Sequence, residues 1–318
     1  MDGLKNTQNT LPRGKLSFGA RVLNNLHTLK TDWVLYAMLL PTIVFFVLFR
    51  VLPILNMRLA FFNFKPKSAW VFAGLKYFRQ IFSTPQFSLI LKNTIIISFM
   101  KYVLLFPFFV LFAILLSEMR MYRCRKVVQV ISYLPHFLGW VVIAGIWINF
   151  LSYNGAVSEL LSLFGVAPKN HMTDTGSIRW ILFISEGWRS LGWDSIIYFT
   201  TILGISPSLY EAADIDGASR PQVIRYIVLP ALLAPMSTMF ILNLGYFMSA
   251  GFDQVLNFSN TAVQNTIDIL DTYIYRIGIQ NGQYSLASAV GLFKGVVGMI
   301  LVLLTHVTSK KLTGEGVW

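Results

Sequence analysis

The sequence predicts an all-α membrane protein with six transmembrane helices. Three observations predict it. Hydrophobic residues make up 55% of the 318 and charged residues only 13%, against about a quarter charged in a soluble domain. Six stretches, 33–53, 89–117, 127–150, 180–204, 232–250 and 284–308, come near the roughly 20 apolar residues that a helix needs to cross a bilayer. The basic residues are unevenly spread between the segments that join these stretches.

The first, third and fifth stretches are nearly free of charge. The second carries Lys101, the fourth Glu186, Arg189 and Asp194, and the sixth Lys294. Residues 1–32 are polar and basic, with Leu16, Ala20, Leu23 and Leu26 at helical spacing, so a short interfacial helix is expected before the first span. No small-residue cleavage site follows that span, which reads as an uncleaved signal anchor. Orientation follows from lysine and arginine. With the N-terminus inside, segments 1–32, 118–126, 205–231 and 309–318 hold thirteen of them, and segments 54–88, 152–179 and 251–283 hold eight. Both termini are therefore expected in the cytoplasm, with 33–308 as the membrane domain, 309–318 as a tail and long outer loops at 54–88 and 251–283. Asn154-Gly155 and Pro168 signal turns in the third outer segment, 152–179.

The formal net charge of +12 raises the question of nucleic acid. No basic stripe with interleaved aromatics occurs, and in a membrane protein such charge marks inner loops and anionic headgroups. The single cysteine, Cys124, excludes an intramolecular disulfide and a multi-cysteine metal site. His27, His136, His171 and His306 are dispersed and suggest no metal centre.

The most informative segment is 206–235, SPSLYEAADIDGASRPQVIRYIVLPALLAP. It reads as two short helices. Ser208 and Glu211 have capping-box spacing, as do Ser219 and Gln222, and Pro221 suits a first turn. Gly217 suits a left-handed helix stop. Ala212 and Ala213 keep one face small. The first helix is expected over 209–216. A short capped helix with a small face, projecting from a membrane domain, has the shape to enter a partner's groove.

Glu211-Ala212-Ala213, Asp216-Gly217-Ala218, Ile227 and Leu229-Pro230 resemble, residue types and spacing together, the EAA motif of permeases of binding-protein-dependent ABC importers. Trp188-Arg189 with Gly192, and Leu209-Tyr210, are similar to the branch that takes up oligosaccharides and polysaccharide fragments. The resemblance extends over the hydropathy of the whole chain. It implies the type I importer permease fold, located in a bacterial cytoplasmic membrane. It implies two cytoplasmic ATPase subunits, a second permease chain, an extracytoplasmic solute-binding protein and a sugar substrate as partners. Glu211, Ala212, Ala213, Asp216 and Gly217 would couple the permease to the ATPase. ATP and Mg would be held by that ATPase, since this chain lacks G-x-x-x-x-G-K-[ST] and no cofactor of its own is expected.

Charges within spans are functional candidates. Glu186 and Arg189, three apart, are expected to pair on one helix face, and Lys101 to snorkel toward the interface. Lys294 is placed to pair with Asp194 or to meet an anionic substrate. Lys101, Arg189, Asp194 and Lys294, with Trp188 and Tyr246, form the expected substrate path, and a surplus of positive charge there would suit an acidic oligosaccharide. Trp147, Tyr198 and Phe247 share the aromatic chemistry, although belts and core packing use the same residues. Ala287, Gly291 and Gly295 are expected to form a helix-packing face, and Pro107 and Pro135 to kink their spans. Two other classes stay open. A membrane-embedded glycosyl transferase would need a carboxylate or metal cluster, for which Asp253, Asp268 and Asp271 are the nearest residues. A solitary ion-coupled carrier would leave the 206–235 segment without a purpose.

Overall fold

The computed structural model describes residues 33–67 and 69–313, with side chains to residue 307. The expected interfacial helix at 16–29 and residues 314–318 of the expected tail lie outside the described residues. The chain divides after Asn56 into two compact units. The described part of the first is α1 (Trp33–Phe46), which continues through a π-helical turn at Val47–Val51 into Leu52–Asn56. It is apolar on every face, as suits a membrane span.

The second unit opens on a 3₁₀ turn, Met57–Phe61, and a two-stranded antiparallel ribbon of β1 (Phe62–Asn63) and β2 (Val71–Phe72), with Phe62 opposite Phe72. Then come α2 (Lys76–Ser83), α3 (Pro85–Glu118), α4 (Tyr122–Tyr133), α5 (Trp140–Leu151), α6 (Ala156–Ser162) and α7 (Ile178–Leu203). The chain continues through α8 (Pro207–Ile215), α9 (Arg220–Gly245), α10 (Phe252–Phe258), α11 (Gln264–Ile267), α12 (Leu270–Tyr275) and α13 (Tyr284–Thr313). Among the described residues, five stretches are long and apolar enough to span: Trp33–Phe61, Pro85–Glu118, Trp140–Ser162, Arg220–Gly245 and Tyr284–Val307. Helix α7 has 26 residues, about 39 Å at about 1.5 Å per residue, which exceeds a hydrocarbon core of about 30 Å. Arg179, Glu186, Arg189 and Asp194 within it make it less apolar than those five.

The second, fourth and sixth expected spans correspond to α3, α7 and α13. The third differs. Instead of one helix over 127–150, α4 ends at Tyr133, a 3₁₀ turn holds Leu134–Phe137, and Leu138 and Gly139 are extended before α5 begins at Trp140. Pro135 sits in that turn, so the break is complete rather than a kink. None of the side chains of α4 is buried, and it carries Arg123, Arg125 and Lys126. In α3 the disturbance is a π-helical turn at Phe99–Leu104, just before Pro107. The missing proline N–H leaves a carbonyl free one turn upstream, which the wider turn accommodates. The fifth span stops at Gly245, short of the expected 250, and gives way to turns ending in Ala250 and Gly251, both left-handed.

Segment 251–283 is not the surface loop expected. Val255, Phe258, Ile267, Ile269 and Leu270 are fully buried. Polar side chains from the spans hold its backbone. Asn93 Nδ2 donates to the carbonyls of Asn265 and Asp268 at 2.9 and 3.2 Å. The Leu270 N–H donates to Thr94 Oγ1 at 2.9 Å, and Arg179 Nε to the Thr266 carbonyl at 3.1 Å. A non-helical backbone at this depth survives only because such partners satisfy it.

The second unit has three apolar cores: one around α5, α7 and α10, one joining α2, the first half of α3, α12 and α13, and one joining the second half of α3, α7 and α9. The α7–α4 approach is tightest at Gly192, where a Cβ would lie 2.4 Å from the Ser132 carbonyl oxygen. Backbone cannot yield there as a side chain could. Gly192→Ala is expected to cost about 1–3 kcal/mol through overpacking, read as a lower thermal midpoint in detergent. Gly291→Ala, with open space at its Cβ position, should leave that midpoint unchanged.

Candidate functional site

The connection between α7 and α9 forms the first candidate site. Ser206 is the N-cap of α8 and Pro207 fills its first turn. The expected Ser208–Glu211 capping box is absent. Ser208 already lies inside the helix, and its hydroxyl meets Ser206 Oγ at 2.8 Å. The helix stop is as expected. Gly217 has φ +67°, its N–H donates to the Asp214 carbonyl at 3.2 Å, and the Ala218 N–H donates to Ala213 at 2.9 Å. These two bonds make a Schellman motif, which only a residue tolerant of positive φ closes without strain. Ser219 and Gln222 do interact, the Ser219 N–H donating to Gln222 Oε1 at 2.7 Å. The helix they start is no separate element, however. It runs through a π-helical turn at Ile224–Val228 directly into α9, with Pro230 just beyond the turn.

The faces of α8 differ from expectation in one respect. Ala213 is only 9% exposed and packs inward, and Tyr210 packs on the apolar core beside it. Glu211, Ala212 and Asp216 are exposed. The outward apolar contribution comes from Ile215, 87% exposed, and Leu209. Ile215 is the residue that motif reasoning passed over. Its signal is a large β-branched side chain at the last turn of a helix whose other anchors point inward.

The second candidate site is a set of charges within the membrane domain, and here the expected pairings are corrected. Lys101 does not snorkel. It is 4% exposed, and its Nζ lies 3.1 Å from Glu186 Oε2 and donates to the Ala250 carbonyl at 3.0 Å. Glu186 therefore pairs across helices with Lys101, not along α7 with Arg189, and its other oxygen accepts from Ser190 Oγ at 3.1 Å. Arg189 has no carboxylate in ion-pair range among the described residues. Its guanidinium donates to the His136 carbonyl at 3.3 Å, at the break before α5, and lies over the Trp140 ring at 5.0 Å. Lys294 pairs with Asp271 at 2.5 Å rather than with Asp194. Arg276 closes on Asp268, which also accepts from Thr272 Oγ1 at 2.7 Å. Interhelical partners won because a charge buried between packed helices loses its solvation, and a facing opposite charge is what offsets that loss. Asp268 and Asp271 each have their own cation, so no open carboxylate cluster joins them.

Two cavities border these groups. One of about 620 Å³ is lined by the Asp271–Lys294 pair and by Gly291, Gly295 and Gly298. Those glycines have open space where a Cβ would be, so at these three positions the small-residue face meets no neighbour among the described residues. Ala287 does pack, against Gly278. The other, about 450 Å³, is lined by Trp193, Asp194, Tyr198 and Asn243. It adjoins a narrow recess of about 70 Å³ that shares Asp194 and Asn243 and adds Tyr102, Lys101 and Glu186. Trp188 is 6.3 Å from Trp147, ring to ring, and half exposed, and Tyr246 is exposed beyond the end of α9. Of the expected path residues, Lys101 and Asp194 meet at one recess, whereas Lys294 lines the other cavity.

A helical membrane domain with an exposed capped helix between its fourth and fifth spans defines an importer permease. Residues 96–313 match the family of binding-protein-dependent transport system inner membrane components, and the chain belongs to that family. It is 36% identical to the polygalacturonan/rhamnogalacturonan transport system permease protein YteP of Bacillus subtilis (strain 168), over 89% of this chain and 90% of that one. It is 33% identical to protein LplB of the same organism, over 91% and 92%. It superposes with a TM-score of 0.86 on a chain of a bacterial ABC transporter involved in the import of the acidic polysaccharide alginate, at 36% identity, covering 92% of this chain and 99% of that one.

The Lys101–Glu186 pair permits a double-mutant cycle. Lys101→Met leaves Glu186 buried without its cation and should cost roughly 3–5 kcal/mol, whereas Lys101→Met with Glu186→Gln should recover most of it. Thermal midpoints of the four proteins in detergent check this. Equal loss in the single and double variants would show that the pair is not coupled.

Proposed function

We propose that this chain is one of two permease subunits of an ATP-driven importer for oligosaccharides, acidic ones among them. Two cytoplasmic ATPase subunits that bind ATP and Mg would drive it, and an extracytoplasmic binding protein would deliver the sugar. The observation that carries the proposal is α8, a two-turn helix anchored on the inside by Tyr210 and Ala213 and presenting Glu211, Ala212 and Ile215 outward. Ile215 supplies the apolar contact in the ATPase cleft, and Glu211 a charge for a basic residue there. Asp216 and Gly217 set the angle at which the helix leaves. Closure of the ATPase dimer draws the coupling helices together, and α9 transmits the motion, because it continues from this loop into the membrane without a break.

The sugar class is supported by the relatives. A pectic and an alginate system, both handling acidic polymers, have permeases 36% identical to this chain. The local charges support it less than the sequence suggested, since Lys101 and Lys294 are neutralised by carboxylates. Arg189 remains the cation with no carboxylate partner beside the path. Both termini lie in the cytoplasm in this reading. In a Cys124→Ser background, Ser259→Cys should react with an impermeant thiol reagent from outside, and Gly314→Cys only after permeabilisation.

The test of function is the reconstituted complex with its binding protein. ATP hydrolysis should rise with alginate or galacturonate oligosaccharides, and failure of both to stimulate would sink the acidic-sugar reading. Ile215→Asp should abolish co-purification of the ATPase subunits. Gly217→Val should lower sugar-stimulated hydrolysis, because a β-branched residue at positive φ costs about 1–2 kcal/mol and opens the Schellman turn.

A further inference from the structure

Residues 54–88 carry Arg58, Lys65, Lys67, Lys76 and Arg79 and neither aspartate nor glutamate. With both termini in the cytoplasm this segment is outside, where the positive-inside rule disfavours such a run. Insertion therefore does not account for the charge. Nor does the fold, since none of the five has a carboxylate in ion-pair range among the described residues. Arg58 lies over the Trp70 ring at 4.9 Å, and Lys76 Nζ over the Tyr77 ring at 5.6 Å. Lys65, Lys67 and Arg79 are exposed, and their side chains make no hydrogen bond or ring contact among the described residues.

The same segment exposes apolar side chains. Phe72 is 70% exposed, and Val71, Leu75 and Phe82 are each more than half exposed. The backbone that carries them is held. The Phe64 N–H donates to Ser285 Oγ at 2.9 Å, and that hydroxyl donates to the Phe62 carbonyl at 2.7 Å, so the ribbon of β1 and β2 is pinned to the first turn of α13. The Tyr77 hydroxyl donates to Asn63 Oδ1 at 3.0 Å and ties α2 to the ribbon. From there α2 follows the flank of α13, where the Phe82 ring lies 5.5 Å from that of Phe293, centroid to centroid. Phe293 is eight residues along α13 from Ser285, roughly 12 Å at about 1.5 Å per residue. The exposed apolar surface thus runs from the outer end of a span down its side. A soluble protein docked on the outer face meets only the top of such a surface, whereas lipid meets all of it.

We propose that the ribbon and α2 form an outer-leaflet anchor, in which Lys65, Lys67 and Arg79 bind the phosphates of anionic phospholipids while Phe72, Leu75 and Phe82 enter the boundary between headgroups and acyl chains. This rests on the orientation with both termini in the cytoplasm and not on the identity of the sugar. Charge complementarity selects the lipid. Unpaired cations without an intervening carboxylate attract anionic headgroups and gain nothing from zwitterionic ones. Position selects it as well. Arg79 precedes Phe82 by one turn of α2, so a phosphate and an acyl chain of one lipid are met by neighbouring side chains, and the long stem of the arginine spans the distance between them. The anchor holds the outer end of α13 at a fixed depth through the bonds to Ser285.

The experiment uses the complete transporter in vesicles of phosphatidylcholine and phosphatidylglycerol. A fluorophore is attached to Phe72→Cys in a Cys124→Ser background, and either lipid is supplied with a spin label at the start of its acyl chain. At low salt, labelled phosphatidylglycerol should quench the fluorophore at least about threefold more than labelled phosphatidylcholine at equal mole fraction, and high salt should reduce the preference. Joint replacement Lys65→Gln, Lys67→Gln and Arg79→Gln removes three charges that touch nothing else in the described fold and should bring the ratio to about one. A reporter at Leu75→Cys should give the same result, so that a misfolded Phe72→Cys protein does not decide the outcome. Equal quenching by the two lipids in the parent protein overturns the proposal, as does a preference that survives the triple replacement. Quenching by aqueous iodide but by neither lipid, relieved when the binding protein is added, would also overturn it and make the ribbon a protein-docking surface. Reaction of Lys67→Cys with an impermeant thiol reagent only after permeabilisation would place the ribbon inside and remove the outer-leaflet assignment. None of these readouts depends on sugar-stimulated ATP hydrolysis, so failure of the importer reading would be seen separately.

Discussion

The Lys101–Glu186 contact holds the membrane domain's three central elements together. Lys101 comes from the π-helical turn of α3, Glu186 from the middle of α7, and the third partner, the Ala250 carbonyl, from the turn that follows α9. The turn itself depends on the lysine. Ala250 and Gly251 both have positive φ, and a Cβ on Gly251 would lie 2.3 Å from Lys101 Nζ. Residue 251 is therefore glycine for two reasons, backbone conformation and the volume of an ammonium group. Nearby, Ser98 Oγ donates to the Phe247 carbonyl. Together these bonds let α9 end at Gly245 inside an apolar domain, where a helix end without partners would be prohibitive. The chain is then free to fold 251–283 back into the core instead of leaving it in solvent.

How much of this was legible depended on the range of the interaction. The first, second, fourth and sixth long stretches, the left-handed stop at Gly217 and the Ser219–Gln222 contact are decided within a few residues, and their signals stand in the sequence. The break at Pro135 was visible as a proline but not in its extent, because whether a proline kinks a helix or ends it depends on what satisfies the freed carbonyls. Here Arg189, 53 residues away, donates to His136. The charge pairings were misread for the same reason. Glu186 and Arg189 are neighbours in sequence and the helix rule favours them, but a cation from another helix supplies a buried carboxylate with a partner that no local rule can see. Segment 251–283 read as a loop because its apolar residues follow no steady period, and its cover comes from Asn93, Thr94 and Arg179 on other elements.

The proposed coupling segment and the proposed substrate path differ in kind. On α8 the residues proposed for coupling are those the local fold does not consume, since Tyr210 and Ala213 hold the helix while Glu211, Ala212 and Ile215 remain outside. The motif identifies such a site because one loop carries all of it. The recess that holds Lys101, Glu186, Asp194 and Asn243 is assembled from three spans, so no single segment of sequence carries it.

The same reasoning separates the two cavities. The glycine-lined one carries Lys294 and Asp271, which satisfy each other, and Gly291, Gly295 and Gly298, beside which a Cβ would meet open space among the described residues. A paired charge gains little by exchanging its partner for a ligand, because each new hydrogen bond must offset one that is lost. Asp194 and Asn243, which line the other cavity with no side-chain hydrogen-bond or ion-pair partner among the described residues, have no such exchange to make.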